Sequence, residues 1–188
     1  MPSVIAAVLD VCVLFPASLR DTLLRAGQRD MYRMTWTDMI LEEMRRNLVK
    51  NGKMNDAQSQ RLVRIIQTTF PRAQVIEEYA SLIDTMTNHP KDRHVLAAAV
   101  ATDAQVIVTF NLRDFPQTAL APFAIEAQSP DSFLCHLLSQ DQTGMLAVIT
   151  EQAQALRNPS LTVTEVLSAL AVHIPEFAQR IRPSLLNA

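Results

Sequence analysis

The apolar positions change period several times along this chain, and each change predicts an element. Val4 to Leu9 is a continuous run rich in β-branched residues and closed by Asp10, the pattern of a buried strand. Pro16 followed by Leu19, Leu23 and Leu24 predicts a helix start soon after. Thr35 to Lys50 reads as a second helix, with Thr35 or Thr37 as N-cap and Met39, Ile40, Met44 and Leu48 as its apolar stripe. Asn51-Gly52 stops it. Asn55 is placed to cap a third helix reaching Phe70, with Leu62, Ile65, Ile66 and Phe70 inward, and Pro71 breaks it. A short strand is expected over 73–76 and a helix within 77–86.

The stretch from His89 to Phe115 has the clearest organisation. Pro90 disfavours helical geometry at His89, so Asp92 falls where a helix begins. Val95, Leu96, Ala99 and Val100 then recur at helical spacing, and Val106, Ile107 and Val108 form a β-branched run. Thr109, Phe110 and Asn111 open a loop that reaches Asp114. A wholly apolar strand preceded by a helix belongs to a parallel α/β sheet, and ligands bind beyond the carboxyl ends of such strands.

Further on, 123–127 is expected as an edge strand, and Ser129-Pro130-Asp131 starts a helix at Phe133. Asp141 to Gly144 separates two apolar segments. Beyond it, 145–157 and 162–173 read as helices, the second opened by a Thr162/Glu165 capping box and ended before Pro175. A last turn or two is expected over 177–186. The domain division that follows is an α/β domain over 1–135 and a helical C-terminal extension over 136–188.

Composition narrows the chemistry. With 188 residues, 48% hydrophobic and 19% charged, the chain is long enough for one α/β domain plus an appendage, and too apolar to be disordered. Three glycines argue against a Gly-rich phosphate loop, and no GxGxxG or GxxxxGK(S/T) string occurs. A net charge of −2 provides no general basic field, so contact with phosphates must be local. Cys12 and Cys135 are too few for a disulfide framework and fit no zinc spacing. The apolar N-terminal run is interrupted by Asp10, lacks a basic leader and is too short to span a bilayer, so a cytoplasmic location is expected.

Acids supply the candidate chemistry. Asp10 and Asp114 each follow a predicted strand, Asp92 opens a helix, and Glu43 lies mid-helix. Asp10 sits within VIAAVLDVCVLF, where burial is hard to avoid. Carboxylates gathered within about 5 Å repel by about 3 kcal/mol per pair at an effective dielectric of about 20. A divalent cation relieves that repulsion, and in the absence of a His/Cys cluster hard oxygen ligands favour Mg²⁺ or Mn²⁺ over zinc.

At these residues the chain resembles the PIN-domain nucleases, and among them the VapC-like toxins of bacterial toxin–antitoxin systems. The resemblance rests on LDVCVL around Asp10, ILEEMRRNL around Glu43, DRHVLAAAVATDAQVIVTFNLRDF from Asp92 to Phe115, and AIEAQSPDSFL. These segments span about the first 135 residues in the family's order. VTFNLRDF is quite specific and D-x-x-V-L weak alone. The resemblance implies a three-layer α/β/α fold with a central parallel sheet. It implies RNA cleavage with Mg²⁺ or Mn²⁺, leaving a 5′-phosphate and a 3′-hydroxyl, by a carboxylate quartet of Asp10, Glu43, Asp92 and Asp114. A cognate antitoxin and homodimerisation are implied as well. One or two ions held by the acids would activate water for in-line attack. Cys12 departs from the Asn or Ser usual two positions after the first acid, and is expected to remove a hydrogen-bonding side chain. Glu42 is the alternative to Glu43, about 100° away on the same helix.

Thr109 and Asn111 are candidates for holding a ligating carboxylate or a metal-bound water, or for bonding the turn backbone. Arg93 and Arg113 are candidates for steering phosphates. His94 reads as a packed or surface histidine, and Asp103 as an exposed helix end. Two rivals remain at this level. A non-catalytic PIN scaffold binding RNA or a protein would have lost acids that are intact here. A haloacid-dehalogenase-type phosphatase needs a second aspartate where Cys12 stands.

Overall fold

The computed structural model describes residues 4–75 and 79–186. Among the described residues four strands, β1 (Ala6–Leu9), β2 (Arg33–Thr35), β3 (Val106–Val108) and β4 (Glu126–Gln128), form one sheet in the order β2-β1-β3-β4. All three pairings are parallel, with Ala7 opposite Met34 and Val106, and Ile107 opposite Ala127. The two central strands, AAVL and VIV, are wholly buried, as their unbroken apolar character requires.

The helices are α1 (Val11–Leu14), α2 (Ala17–Gln28), α3 (Asp38–Lys50), α4 (Asp56–Thr69), α5 (Arg93–Ala101), α6 (Gln117–Leu120), α7 (Pro130–Gln140), α8 (Gln142–Ala155), α9 (Val163–Ala171) and α10 (Pro175–Leu186). This is the expected α/β class: a central parallel sheet with helices, followed by a helical C-terminal region. The chain divides into two compact units, one of residues 1–15 and 33–128, the other of 16–32 and 129–188.

The first unit carries the sheet, α1 and α3 to α6. Thr37, not Thr35, caps α3, accepting from the Ile40 N–H at 3.2 Å, because Thr35 is the last residue of β2. Gly52, at φ +64°, provides the left-handed residue that ends α3. Asn55 and Gln58 form a capping box on α4. Two stripe assignments are corrected. Met39 is 45% exposed and Leu41 buried in its place, and Ile65 is 50% exposed while Ile66 faces inward. α3 packs against both α4 and α1, so which stripe is buried depends on neighbours as well as period.

The strand expected over 73–76 reduces to a bridge between Gln74 and Trp36 after a 3-10 turn at Pro71–Ala73, and Ile76 lies outside the described residues. Within the helix expected over 77–86, Tyr79–Thr85 is a 3-10 segment packed on α5; Glu77 and Glu78 lie outside the described residues. The edge strand expected over 123–127 begins later, at Glu126, because Ala121–Phe123 forms a 3-10 turn. Asp103 ends α5 exposed and with φ +50°.

In the second unit α2 packs against α8 and α9, and α7 against α8 and α10. Thr22 donates to Gln152 at 2.7 Å, and Tyr32 meets the buried Phe133 edge-on at 5.0 Å. Thr162 and Glu165 form the expected capping box on α9. Gly144 allows Asp141 to cap α8, since a Cβ there would collide with the capping carboxylate. The expected last turn or two is instead a full helix, α10, because Asp131 of α7 accepts from the Glu176 and Phe177 N–H groups at its N-terminus (3.0 and 2.8 Å). Replacing Asp131 with Ala leaves both donors unpaired. It is expected to cost about 1–2 kcal/mol, read as a lower urea midpoint at unchanged slope.

Candidate active site

Asp10 is the first residue after β1 and only 3% exposed. Its N–H donates to Val108 O of β3, which fixes its backbone at the carboxyl end of the central strand pair. One carboxylate oxygen accepts from the Val11 N–H (2.7 Å). The other accepts from the Thr109 hydroxyl (2.7 Å) and the Cys12 thiol (3.2 Å). Cys12 therefore does not remove a hydrogen-bonding side chain, as its departure from the family pattern had suggested. Burial, and then the Asp10 charge, push its thiol up to about 12, so it remains an S–H donor at neutral pH. Its sulfur in turn accepts from the Phe110 N–H (3.2 Å), while Thr109 Oγ1 accepts from the Asn111 N–H (2.9 Å). Thr109 thus both holds a carboxylate and bonds its own turn.

Asp92 precedes α5 at the end of a 3-10 turn, with His89 extended before Pro90. Its side chain does not cap the helix. Burial, then the nearby Asp10 and Asp114 carboxylates, hold its pKa above the usual range, and His89 partly offsets them. His89 Nδ1 lies 3.2 Å from an Asp92 oxygen, and one ligand atom from each of His89, Asp92 and Asp114 falls within 4.8 Å of the others. His89 is the group that reading the sequence missed. Its only local cue was the following proline, which speaks of backbone shape and not of where the ring lies.

A cavity of about 390 Å³ is lined by Asp10, Val11, Cys12, Phe15, Glu43, Asn47, Asn51, Asp92 and Asn111. Glu43 faces it from α3, and the buried His94 lies 3.8 Å from Glu43 Oε2. Glu42, the alternative acid, is bound instead to Arg45 at 2.7 Å, which lowers its pKa. Asp114 stands beside Asp92 and is not part of the cavity wall. The Arg93 Nε–H reaches the Asn88 carbonyl at 3.4 Å, and Arg113 is exposed.

The donor set suits a divalent cation. Three carboxylates face a cavity whose lining, among the described residues, contains no lysine or arginine, and a fourth with an imidazole stands beside one of them. Like charges so placed need a counter-charge to remain ionised together, and oxygen donors with one nitrogen are suitable ligands.

A family model described as "PIN domain" matches residues 6–113, more than half of the chain. The chain belongs to the PIN-domain family. The PIN match covers the whole cavity lining, and its last residue, Arg113, directly precedes Asp114. A second family model, "VapC50 C-terminal domain", matches residues 130–183, which lie within the helical C-terminal region. The curated "Putative ribonuclease VapC50" of Mycobacterium tuberculosis (strain ATCC 25618 / H37Rv) is 46% identical over 104 residues, which is 55% of this chain and 62% of that protein. The match to this relative thus spans less than two thirds of its length. No solved structure matches the chain significantly. Among the described residues no helix is long and apolar enough to cross a membrane.

Proposed function

We propose that this PIN domain is a metal-dependent endoribonuclease and the toxin component of a toxin–antitoxin pair. The observation that carries the reading is the gathering of acids from four separate segments: Asp10, Glu43 and Asp92 face one cavity with no basic side chain among its described lining residues, and Asp114 stands beside Asp92. The fold family and the similarity to a protein named as a ribonuclease support the same conclusion.

In this reading Asp10, Glu43, Asp92 and Asp114 hold Mg²⁺ or Mn²⁺, for which oxygen donors are suited, and His89 stands beside them as a nitrogen donor. The ion, when bound, supplies the charge that keeps these carboxylates ionised together and acidifies water for attack on phosphorus. The residues do the rest. Thr109 and Cys12 hold the Asp10 carboxylate in one rotamer, and Asn111 borders the space the substrate enters. Arg93 and Arg113 draw phosphates toward an otherwise acidic site. The water oxygen bonds to phosphorus as the bond to the 3′ oxygen breaks, giving a 5′-phosphate and a 3′-hydroxyl. The chemistry lies within residues 1–135. The helical extension over 136–188 carries none of these groups. An antitoxin encoded alongside would restrain the enzyme in the cytoplasm.

The test is cleavage of single-stranded RNA by the purified full chain in Mn²⁺, with and without chelator. Growth arrest on induction, absent for Asp92→Asn, tests the toxin assignment. An inert wild type in both assays would leave a non-catalytic PIN scaffold as the better reading. Thr109→Val deprives an Asp10 oxygen of its shortest side-chain donor while keeping the shape of the residue. It is expected to weaken Mn²⁺ binding by about 10–100-fold in calorimetry, with an unchanged circular-dichroism spectrum.

A further inference from the structure

Acids are only part of the cavity lining, and the chemistry of the other residues is different. Glu43, Asn47 and Asn51 are spaced four residues apart on α3 and at its C-cap, so they rise along one side of the helix in steps of about 6 Å. The Asn51 amide nitrogen donates to the Asn47 backbone carbonyl at 2.8 Å, so the Asn51 side-chain oxygen remains as an acceptor. Phe15 contributes an aromatic ring to the same lining, and Asn111 a third amide. Beside Asn111, Phe110 is 40% exposed. The lining thus combines carboxylates, which repel a phosphate unless a cation intervenes, with neutral amides and an aromatic residue, which suit an uncharged heterocycle.

We infer that Asn47 and Asn51, with Phe15, form a specificity pocket for one unstacked nucleoside of single-stranded RNA, next to the phosphate presented to the acids. The inference rests on the ribonuclease reading and deepens it. Amides offer a donor and an acceptor on one group, the pairing needed to read a base edge, and an aromatic face accepts a splayed-out base. A volume of about 390 Å³ lies in the range of small-ligand sites, about 300–1,000 Å³, and suits one nucleotide and not a duplex. RNA that keeps its bases stacked in a helix cannot place one there, so loops and unpaired ends are the substrates this wall selects.

The experiment uses the full chain in Mn²⁺ and a library of 12-residue single-stranded oligoribonucleotides randomised at four central positions. Cut sites and retained sequences are both read by sequencing, for wild type and for Asn47→Ala/Asn51→Ala. The wild type is expected to favour one base at one position relative to the cut. The variant is expected to flatten that preference by roughly tenfold while binding Mn²⁺ as wild type does. Asn51→Ala alone, at an exposed position, carries the same test should the double variant not fold. A wild type that cuts with a preference the variant keeps overturns the pocket and leaves the nuclease standing. A wild type that retains sequences with a base preference lost in the variant, yet cuts none, upholds the pocket and overturns hydrolysis. A wild type that neither cuts nor retains any sequence with a preference overturns both.

Discussion

Asp10→Asn is expected to leave a folded protein whose Mn²⁺-dependent RNA cleavage falls roughly 10³-fold, equivalent to about 4 kcal/mol of transition-state stabilisation. The fold survives because the substitution preserves most of what Asp10 does structurally. An amide oxygen still accepts from the Val11 N–H, and the Thr109 hydroxyl and Cys12 thiol can turn to accept where they now donate. What is lost is a negative charge at a position only 3% exposed. The measurement is cleavage rate against Mn²⁺ concentration, with thermal melts of both proteins as control. Equal rates in wild type and variant would remove Asp10 from the ligand set.

Asp92→Asn is expected to act in opposite directions with and without the ion. In the metal-free protein the carboxyl group of Asp92 is held above its ordinary pKa by burial and by Asp10 and Asp114. The folded state therefore binds its proton more tightly than the unfolded chain does. Stability falls as pH rises from the unfolded pKa through the folded one, and stays lower above that window. Asn does not ionise, so the variant should melt higher than wild type at neutral pH in chelator, and the difference should vanish below the ordinary Asp range. With Mn²⁺ present the order reverses. Wild type gains stability from binding, while the variant loses about 10²-fold in affinity and gains little. Melting scans at pH 3 and pH 7, with chelator and with Mn²⁺, provide the check. A variant that melts below wild type in chelator at pH 7 would refute the electrostatic account.

The sheet centre was legible because β1 and β3 are buried on both faces and read as unbroken apolar runs. Its edges were not. Arg33-Met34-Thr35 is a three-residue strand with an exposed arginine, and Glu126-Ala127-Gln128 is polar and short, so both depend on pairing with a neighbour and leave little pattern of their own. Met39 and Ile65 show the same limit on helices, where period narrows the buried face to about a quarter-turn and the packing partner chooses within it. At the site, resemblance picked out the acids, and Glu43 could be preferred to Glu42 only on the apolar residue after it. In the structure the distinction is physical, since Glu42 is committed to Arg45 and Glu43 faces the cavity. His89 was beyond reach because its ring meets Asp92 and Asp114 through a turn that no periodicity describes. Asn47 and Asn51 were within reach in principle, as their spacing from Glu43 is helical.

α2 lies between β1 and β2 in the chain, yet it packs against α8 and α9, helices that come more than a hundred residues later. Leu19 and Leu23 are fully covered. The surface of α2 is therefore fitted to helices encoded far along the chain. A recombination that exchanged everything after Gln128 for a foreign tail would hand α2 a surface it had never matched. Substitutions on the buried face of α2 are expected to call for matching changes on α8 and α9.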